Sequence, residues 1–139
     1  MKKRITIITV LALALVCVML FAACTPASNP EKAKEKLEKK GYTVVVDSRV
    51  QPAALKMTAG INGVDTVLTA TYSDDDTTEY LTVLYFSSAS DAKAAWDAAK
   101  KEAESEKKDS KDKDDSNWTV GKSGKRIWFG TKNAVKAAA

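Results

Sequence analysis

The sequence predicts an α+β domain: a mainly antiparallel β-sheet of about five strands with helices packed on one face, in the order α-β-β-β-α-β-β-α. Segments rich in β-branched and aromatic residues come in runs and do not alternate with helices, which favours an antiparallel sheet. The segments between and around these runs carry helix caps or an apolar stripe at helical spacing. We expect one such domain over residues 31–139.

The first helix is predicted to begin at Asn29-Pro30-Glu31 and to end at Gly41. Asn is a favourable N-cap and Pro fits the first helical position, while Gly can adopt the left-handed conformation beyond the C-terminus. Ala33 and Leu37 form its apolar side. The β-branched segment 42–47 then predicts the first strand.

Two further strands are predicted at 64–72 and 79–86, joined by a polar hairpin loop at 73–78. The second of these strands carries apolar groups on both sides, which indicates a central position in the sheet. Between residues 48 and 63, the sequence predicts a short helix at 52–57 and a turn at 60–63.

A second long helix is predicted to begin at Ser88 or Ser90. Its apolar stripe is centred on Trp96 and comprises Ala92, Ala95, Trp96, Ala99 and Ala103. From about residue 104 to residue 116, charged residues and serine replace the stripe, which predicts a flexible charged loop. A hairpin of 118–120 and 125–129, turning at 121–124, and an Ala-rich helix capped by Thr131 complete the domain.

The first 24 residues have the pattern of a bacterial lipoprotein signal peptide. Basic residues at positions 2–4 precede an apolar run, and Ala22-Ala23 precede Cys24, whose thiol would carry a diacylglyceryl group. The pattern predicts removal of residues 1–23, lipidation of Cys24, a tether over residues 24–30, and a domain held on the extracytoplasmic side of the cell membrane. An uncleaved spanning anchor and an ordinary secretory signal are the alternatives, because residues 5–23 carry no charge.

The basic balance of the chain depends largely on the signal segment. The whole chain has a net charge of +4, and removal of residues 1–23 takes away three basic residues and no acid, which leaves +1. The main support for a nucleic-acid partner is therefore lost.

Histidine and cysteine usage excludes several chemistries. The chain has no His, and its two cysteines are Cys17, in the signal segment, and the lipidated Cys24. A Ser-His-Asp or Cys-His nucleophile and a His-ligated metal are therefore excluded from the mature domain, as is an internal disulfide. We expect no cofactor and no catalytic residue.

Three segments carry a resemblance to a known group of proteins. They are Leu37-Glu38-Lys39-Lys40-Gly41-Tyr42-Thr43-Val44, Tyr85-Phe86-Ser87-Ser88-Ala89-Ser90-Asp91-Ala92-Lys93 and Gly124-Lys125-Arg126-Ile127-Trp128-Phe129-Gly130-Thr131-Lys132-Asn133-Ala134. Together with the lipobox, they resemble small lipoproteins of Firmicutes. The resemblance implies the lipid anchor and the fold, and it carries over no activity and no site residue.

Two groups of acidic residues are candidates for calcium sites. Asp74, Asp75 and Asp76 with Glu79 lie in and after the hairpin loop, where consecutive carboxylates diverge instead of enclosing an ion. The second group lacks the Gly and the bidentate Glu of a calcium loop and comprises Asp112, Asp114, Asp115 and Asn117. Solvated loops are the better interpretation of both, and no metal site is predicted.

The C-terminal segment is the best candidate for an interaction surface. Residues 117–139 carry five basic residues and no acid, whereas residues 41–90 have a net charge of −4. Such asymmetry can steer an anionic partner or orient the domain on anionic lipid. The predicted patch comprises Trp118, Lys122, Lys125, Arg126 and Trp128. The alternative is that the aromatic residues divide between core and surface while the lysines keep the hairpin soluble.

These features predict a lipid-anchored extracytoplasmic binding protein that is not an enzyme and that recognises an envelope protein or polymer. One alternative is a carrier with a pocket between sheet and helices, lined by Tyr72, Tyr85 or Trp96. A hydrolase that uses only carboxylates is a further alternative, but it needs two acids across a cleft, for which so compact a domain has little room.

Overall fold

The computed structural model describes residues 25–109 and 117–139. Within them, five antiparallel strands form one sheet in the spatial order β1-β2-β3-β5-β4. The strands are β1 (Thr43–Asp47), β2 (Val64–Ser73), β3 (Thr78–Phe86), β4 (Trp118–Ser123) and β5 (Arg126–Thr131). The helices are α1 (Pro30–Lys39), α2 (Val50–Thr58), α3 (Ala89–Asp109) and α4 (Lys132–Ala138). The α+β class, the antiparallel sheet and the central position of β3 are confirmed.

Helices cover both faces of the sheet, so the prediction of helices on one face is wrong. Helices α1 and α4 pack on one face and form a first core with Leu37, Val83 and Trp128. Helices α2 and α3 pack on the other face and form a second core around Leu84 and Phe129. Successive side chains of a strand point to opposite faces, so the apolar residues on both sides of β3 and β5 require cover on both.

Local capping explains where the first two helices begin. The Asn29 side chain accepts a hydrogen bond from the Glu31 backbone N–H at 2.8 Å, as the sequence predicts. The Asp47 carboxylate accepts backbone N–H groups at the start of α2, including that of Arg49 at 2.8 Å, and these bonds lower the pKa of Asp47. Helix α2 is therefore longer than the predicted 52–57, and the predicted element order omits it.

Helix α3 differs from its prediction at two points. Ser88 caps it, its hydroxyl accepting the Asp91 N–H at 3.1 Å, and the helix continues to Asp109. Residues 104–109 of the predicted loop are therefore helical, and the rest of that loop lies outside the described residues. The buried residues of α3 are Ala92, Ala95, Ala99 and Ala103, whereas Trp96 is half-buried at the edge of the second core. Small side chains let the helix lie close to the sheet, where an indole at the centre would not fit.

The C-terminal hairpin turns more tightly than predicted. Strands β4 and β5 extend to Ser123 and Arg126, leaving Gly124 and Lys125 as the turn, with Gly124 at φ 55°. Thr131 occupies the N-cap position of α4, as expected, but its hydroxyl makes no cap bond. Instead it pairs with the backbone N–H and carbonyl of Tyr80, both at 3.3 Å, and so joins β5 to β3.

The segment predicted as a tether packs on the domain from residue 26 onward. Pro26 is fully buried, and its carbonyl accepts a hydrogen bond from the Arg126 guanidinium. The Ala27 N–H donates to the Ala138 carbonyl at 2.8 Å, and the Tyr85 hydroxyl donates to the Ala27 carbonyl at 2.9 Å. Three contacts from distant parts of the chain therefore fix these residues against the first core.

Candidate functional site

The predicted patch does not form one surface. Trp128 and Arg126 lie on the face of the sheet that α4 covers, whereas Trp118 and Lys122 lie on the α3 face. Trp128 is only 6% exposed, and Arg126 is engaged by Pro26. Lys125 stands exposed in the turn between the two faces. The prediction of a single patch of exposed aromatic and cationic groups is therefore wrong.

A groove of about 530 Å³ does open beside two of these residues, between the edge strand β4 and helix α4. We call it the β4–α4 groove. It is lined by Thr25, Thr119, Val120, Gly121, Lys122, Trp128, Lys132, Val135 and Lys136.

The floor of the β4–α4 groove is apolar and depends on a glycine. Trp128 and Val135 are buried beneath it. Gly121 pairs with Trp128 across the β4–β5 ladder, and an ideal Cβ at position 121 would lie 2.5 Å from Cζ2 of the indole. The indole therefore occupies the space that any other residue at position 121 would need.

The rim of the groove is basic. Lys132 and Lys136 lie one turn apart on α4 and are exposed, and none of the described residues that line the groove is acidic. The ammonium of Lys122 points away, because it lies 5.6 Å from the Trp96 ring centroid on the α3 face. Two lysines of α4 therefore supply the positive charge, and the sequence analysis did not include either of them in its patch.

Strand β4 adds backbone groups to the same groove. Among the described strands it lies at the edge of the sheet and pairs with β5 alone, so alternate N–H and C=O groups point outward. An apolar floor, two ammonium groups and the outward N–H groups of an edge strand can together bind a molecule with an apolar body and an acidic group.

The acidic hairpin loop has a structural role. The Asp74 carboxylate accepts the backbone N–H groups of Asp76 and Thr77 at 2.9 and 2.7 Å and the Tyr72 hydroxyl at 3.0 Å. The backbone bonds and the Tyr72 hydroxyl lower its pKa. Among the described residues, no group of three or more Asp, Glu, His or Cys is placed to hold a metal ion. Asp112, Asp114 and Asp115 lie outside those residues.

The residues predicted to line a carrier pocket are dispersed. Tyr85 is buried in the first core, and burial raises its pKa to about 12. Trp96 packs at the edge of α3 under Lys100 and Lys122. Tyr72 alone lines an open groove, on the side of α4 away from Trp128.

Glu106 is an unusual carboxylate that the sequence analysis did not single out. It lines a small groove on the α3 face with Asp109, where the Thr82 hydroxyl donates to it at 3.3 Å. Desolvation of the carboxylate against the sheet raises its pKa to about 7; the Thr82 bond opposes this shift, and the charges of Glu102 and Asp109 add to it. In the sequence it falls within the predicted charged loop of 104–116, where nothing distinguishes it from the neighbouring charged residues.

The described residues thus define a class: a small α+β domain with a five-stranded antiparallel sheet between two helical layers and a basic groove at one sheet edge. No protein-family model, curated protein or solved structure matches the chain. The resemblance to small lipoproteins of Firmicutes therefore stays a prediction. Of the helices in residues 25–109 and 117–139, none has the length and apolar character needed to span a membrane.

Proposed function

We propose that this protein is a lipid-anchored extracytoplasmic binding protein whose β4–α4 groove binds an anionic amphiphile. The phospholipid of the membrane that carries the anchor is the source we favour. One observation carries the proposal: an apolar-floored, lysine-rimmed groove is lined by Thr25, the residue that follows the predicted lipidation site.

The position of the groove relative to the anchor supports this choice. Consecutive Cα atoms lie about 3.8 Å apart, so a lipidated Cys24 begins next to the residue that lines the groove. Pro26 and Ala27 are held by Arg126, Tyr85 and Ala138. The anchor would therefore leave the domain at a fixed point, and that point would turn the groove toward the lipid surface.

The expected binding energy of the groove lysines is small, and it suits a contact that orients the domain on a membrane to which the anchor already holds it. A basic residue near an anionic leaflet contributes about 1 kcal/mol, so Lys132 and Lys136 together contribute about 2 kcal/mol. This is weak for a protein in solution. Once the acyl chains hold the domain at the membrane, the local lipid concentration is high and a contact of this strength is sufficient.

Vesicle flotation of residues 25–139 tests the groove without the anchor, since every described helix and strand lies in that part of the chain. We expect binding to phosphatidylcholine vesicles that contain phosphatidylglycerol and none to phosphatidylcholine alone. Lys132→Glu/Lys136→Glu should lower the affinity at least about tenfold, since each reversal replaces an attraction with a repulsion.

The matched control is Lys93→Glu/Lys125→Glu, which changes the net charge equally at two exposed lysines, on α3 and in the β4–β5 turn, that do not line the groove. We expect it to retain most of the binding. Equal losses in the two double variants would show that net charge alone drives the interaction. Absence of binding to anionic vesicles would exclude phospholipid as the ligand.

Lipidation itself is tested with Cys24→Ala in the full-length chain. The variant should lose incorporation of a clickable palmitate analogue, because its thiol is the proposed acceptor. Cys17→Ala, which changes the other cysteine of the chain, should be labelled as well as the unmodified protein. Labelling of the Cys24→Ala variant would contradict the lipoprotein assignment.

A further inference from the structure

A second groove, of about 440 Å³, lies beside α4 on the side away from Trp128, and one buried carboxylate sets it apart. We call it the Glu79 groove. It is lined by Lys40, Tyr42, Tyr72, Asp74, Thr77, Glu79, Asn133, Lys136 and Ala137. Glu79, the second residue of β3, is only 3% exposed.

Only one of the two carboxylate oxygens of Glu79 has a hydrogen-bond partner among the described residues. Its Oε1 accepts a hydrogen bond from the Asn133 side-chain amide of α4 at 3.2 Å. Its Oε2 is buried and has no hydrogen-bond partner among the described residues. A buried carboxylate oxygen without a donor is costly, so the site has an unfilled requirement for a hydrogen-bond donor, best met by a cation.

The groove around Glu79 carries aromatic surface and both signs of charge. The rings of Tyr42 and Tyr72 lie with centroids 5.4 Å apart at 42°. Tyr42 and Glu79 line the same groove; burial raises the pKa of Tyr42 to about 12, and the charge of Glu79 adds to that rise. Asp74 supplies a second carboxylate, and the exposed Lys40 and Lys136 supply two ammonium groups.

We propose that the Glu79 groove binds a small zwitterion of the α-amino acid class. The ligand ammonium would pair with Glu79 and lie against the Tyr42 and Tyr72 rings, where cations bind favourably. The ligand carboxylate would pair with Lys40 or Lys136. A simple amine would be repelled by the lysines and a simple acid by the carboxylates, so a molecule that carries both charges fits best.

Two features of the Glu79 groove bear on which ligand it can hold and on how that ligand enters. Calcium prefers six to eight oxygen ligands, and two carboxylates are too few to hold it here. Oε2 is covered by its neighbours, so the ammonium must enter by displacing a side chain or by turning the carboxylate outward. Lys40 and Lys136 are exposed and line the groove, where a ligand carboxylate can reach them.

Titration calorimetry with three related probes tests the proposal on residues 25–139. L-Phenylalanine carries both charges, phenethylammonium only the positive one, and 3-phenylpropionate only the negative one. We expect L-phenylalanine to bind, and the other two to bind at least about tenfold more weakly, since each loses one of the two charge pairs. Glu79→Gln should weaken L-phenylalanine binding by a similar factor.

Stability measurements separate binding from folding. Glu79→Gln removes a buried charge that lacks a full set of partners, so its denaturant midpoint should be equal to or above that of the unmodified domain. Asp75→Asn removes one negative charge from the exposed loop outside the groove and should leave binding unchanged.

Several results would overturn the proposal. Phenethylammonium binding as tightly as L-phenylalanine would indicate a site for simple cations, and unchanged affinity in Glu79→Gln would place the ligand elsewhere. A lowered midpoint in Glu79→Gln would identify Glu79 as a structural partner within the fold. Absence of binding by all three probes would exclude the site. None of these outcomes depends on the β4–α4 groove, which the vesicle experiment tests separately.

Discussion

Gly130→Ala is expected to destabilise the domain by about 3 kcal/mol or more. Gly130 has φ +154°, and a Cβ there would overlap the backbone carbonyl of Tyr80 and lie 2.8 Å from Cα of Leu81. Both belong to the central strand β3, which is hydrogen-bonded on each side and cannot move away. The cost therefore combines an unfavourable backbone conformation with a steric overlap that relaxation cannot relieve.

Urea denaturation followed by far-UV circular dichroism measures this effect. Gly60→Ala is the matched control, because Gly60 also has a positive φ, +68°, but a Cβ there meets nothing within 4 Å. It should cost only about 1 kcal/mol, the conformational part alone. If the two variants lost equal stability, the close packing of β5 against β3 at Gly130 would be contradicted.

Trp128→Ala is expected to lower the free energy of unfolding by about 3–5 kcal/mol, the range for large aromatic side chains removed from a core. Trp128 is 6% exposed and packs in the first core under α4. The same indole forms the floor of the β4–α4 groove. If Trp128→Ala remains folded, it should therefore also lose vesicle binding.

Trp96→Ala provides the comparison for Trp128→Ala. The spacing of apolar residues predicts Trp96 at the centre of the buried stripe of α3, but Trp96 is half-buried and partly covered by the lysine side chains 100 and 122. Trp96→Ala should lower the free energy of unfolding by less than half as much as Trp128→Ala. Denaturant midpoints for both variants decide the order, and a larger loss for Trp96→Ala would reverse the roles of the two residues in the structure.

The two grooves share one short helix. The lysines at 132 and 136 of α4 face the β4–α4 groove, while Asn133 holds Glu79 in the second groove and Lys136 borders both. The position of α4 is set by its buried residues Ala134, Val135, Ala137 and Ala138. A single Ala-rich helix therefore borders a lysine-rimmed groove on one side and a groove with a buried carboxylate on the other.

The features predicted correctly depend on neighbouring residues. Asn29 and Ser88 cap their helices through bonds to backbone groups two or three residues away. Alternation along β3 predicted its central place, because the burial of both faces follows from the two-residue period of a strand. Such signals lie within a few residues of one another, so a single sequence is sufficient to detect them.

The features predicted wrongly depend on contacts between residues that are far apart in the sequence. The patch required Trp128 and Lys122 on one face, but the β4–β5 register places them on opposite faces. Pro26 is held by Arg126, which is 100 positions away, and Glu79 meets Asn133 across 54 positions. Nothing local in the sequence indicates these pairings.

The sequence by itself thus determined the α+β class, the positions of most helices and strands, and the expectation of a lipid anchor at Cys24. Only the tertiary structure decided that helices cover both faces, that the N-terminal segment packs on the first core, and that two grooves flank α4. The physical reason is that caps and periodicity act through adjacent backbone groups. Grooves and unpaired buried charges arise where strand register and helix packing bring remote side chains together.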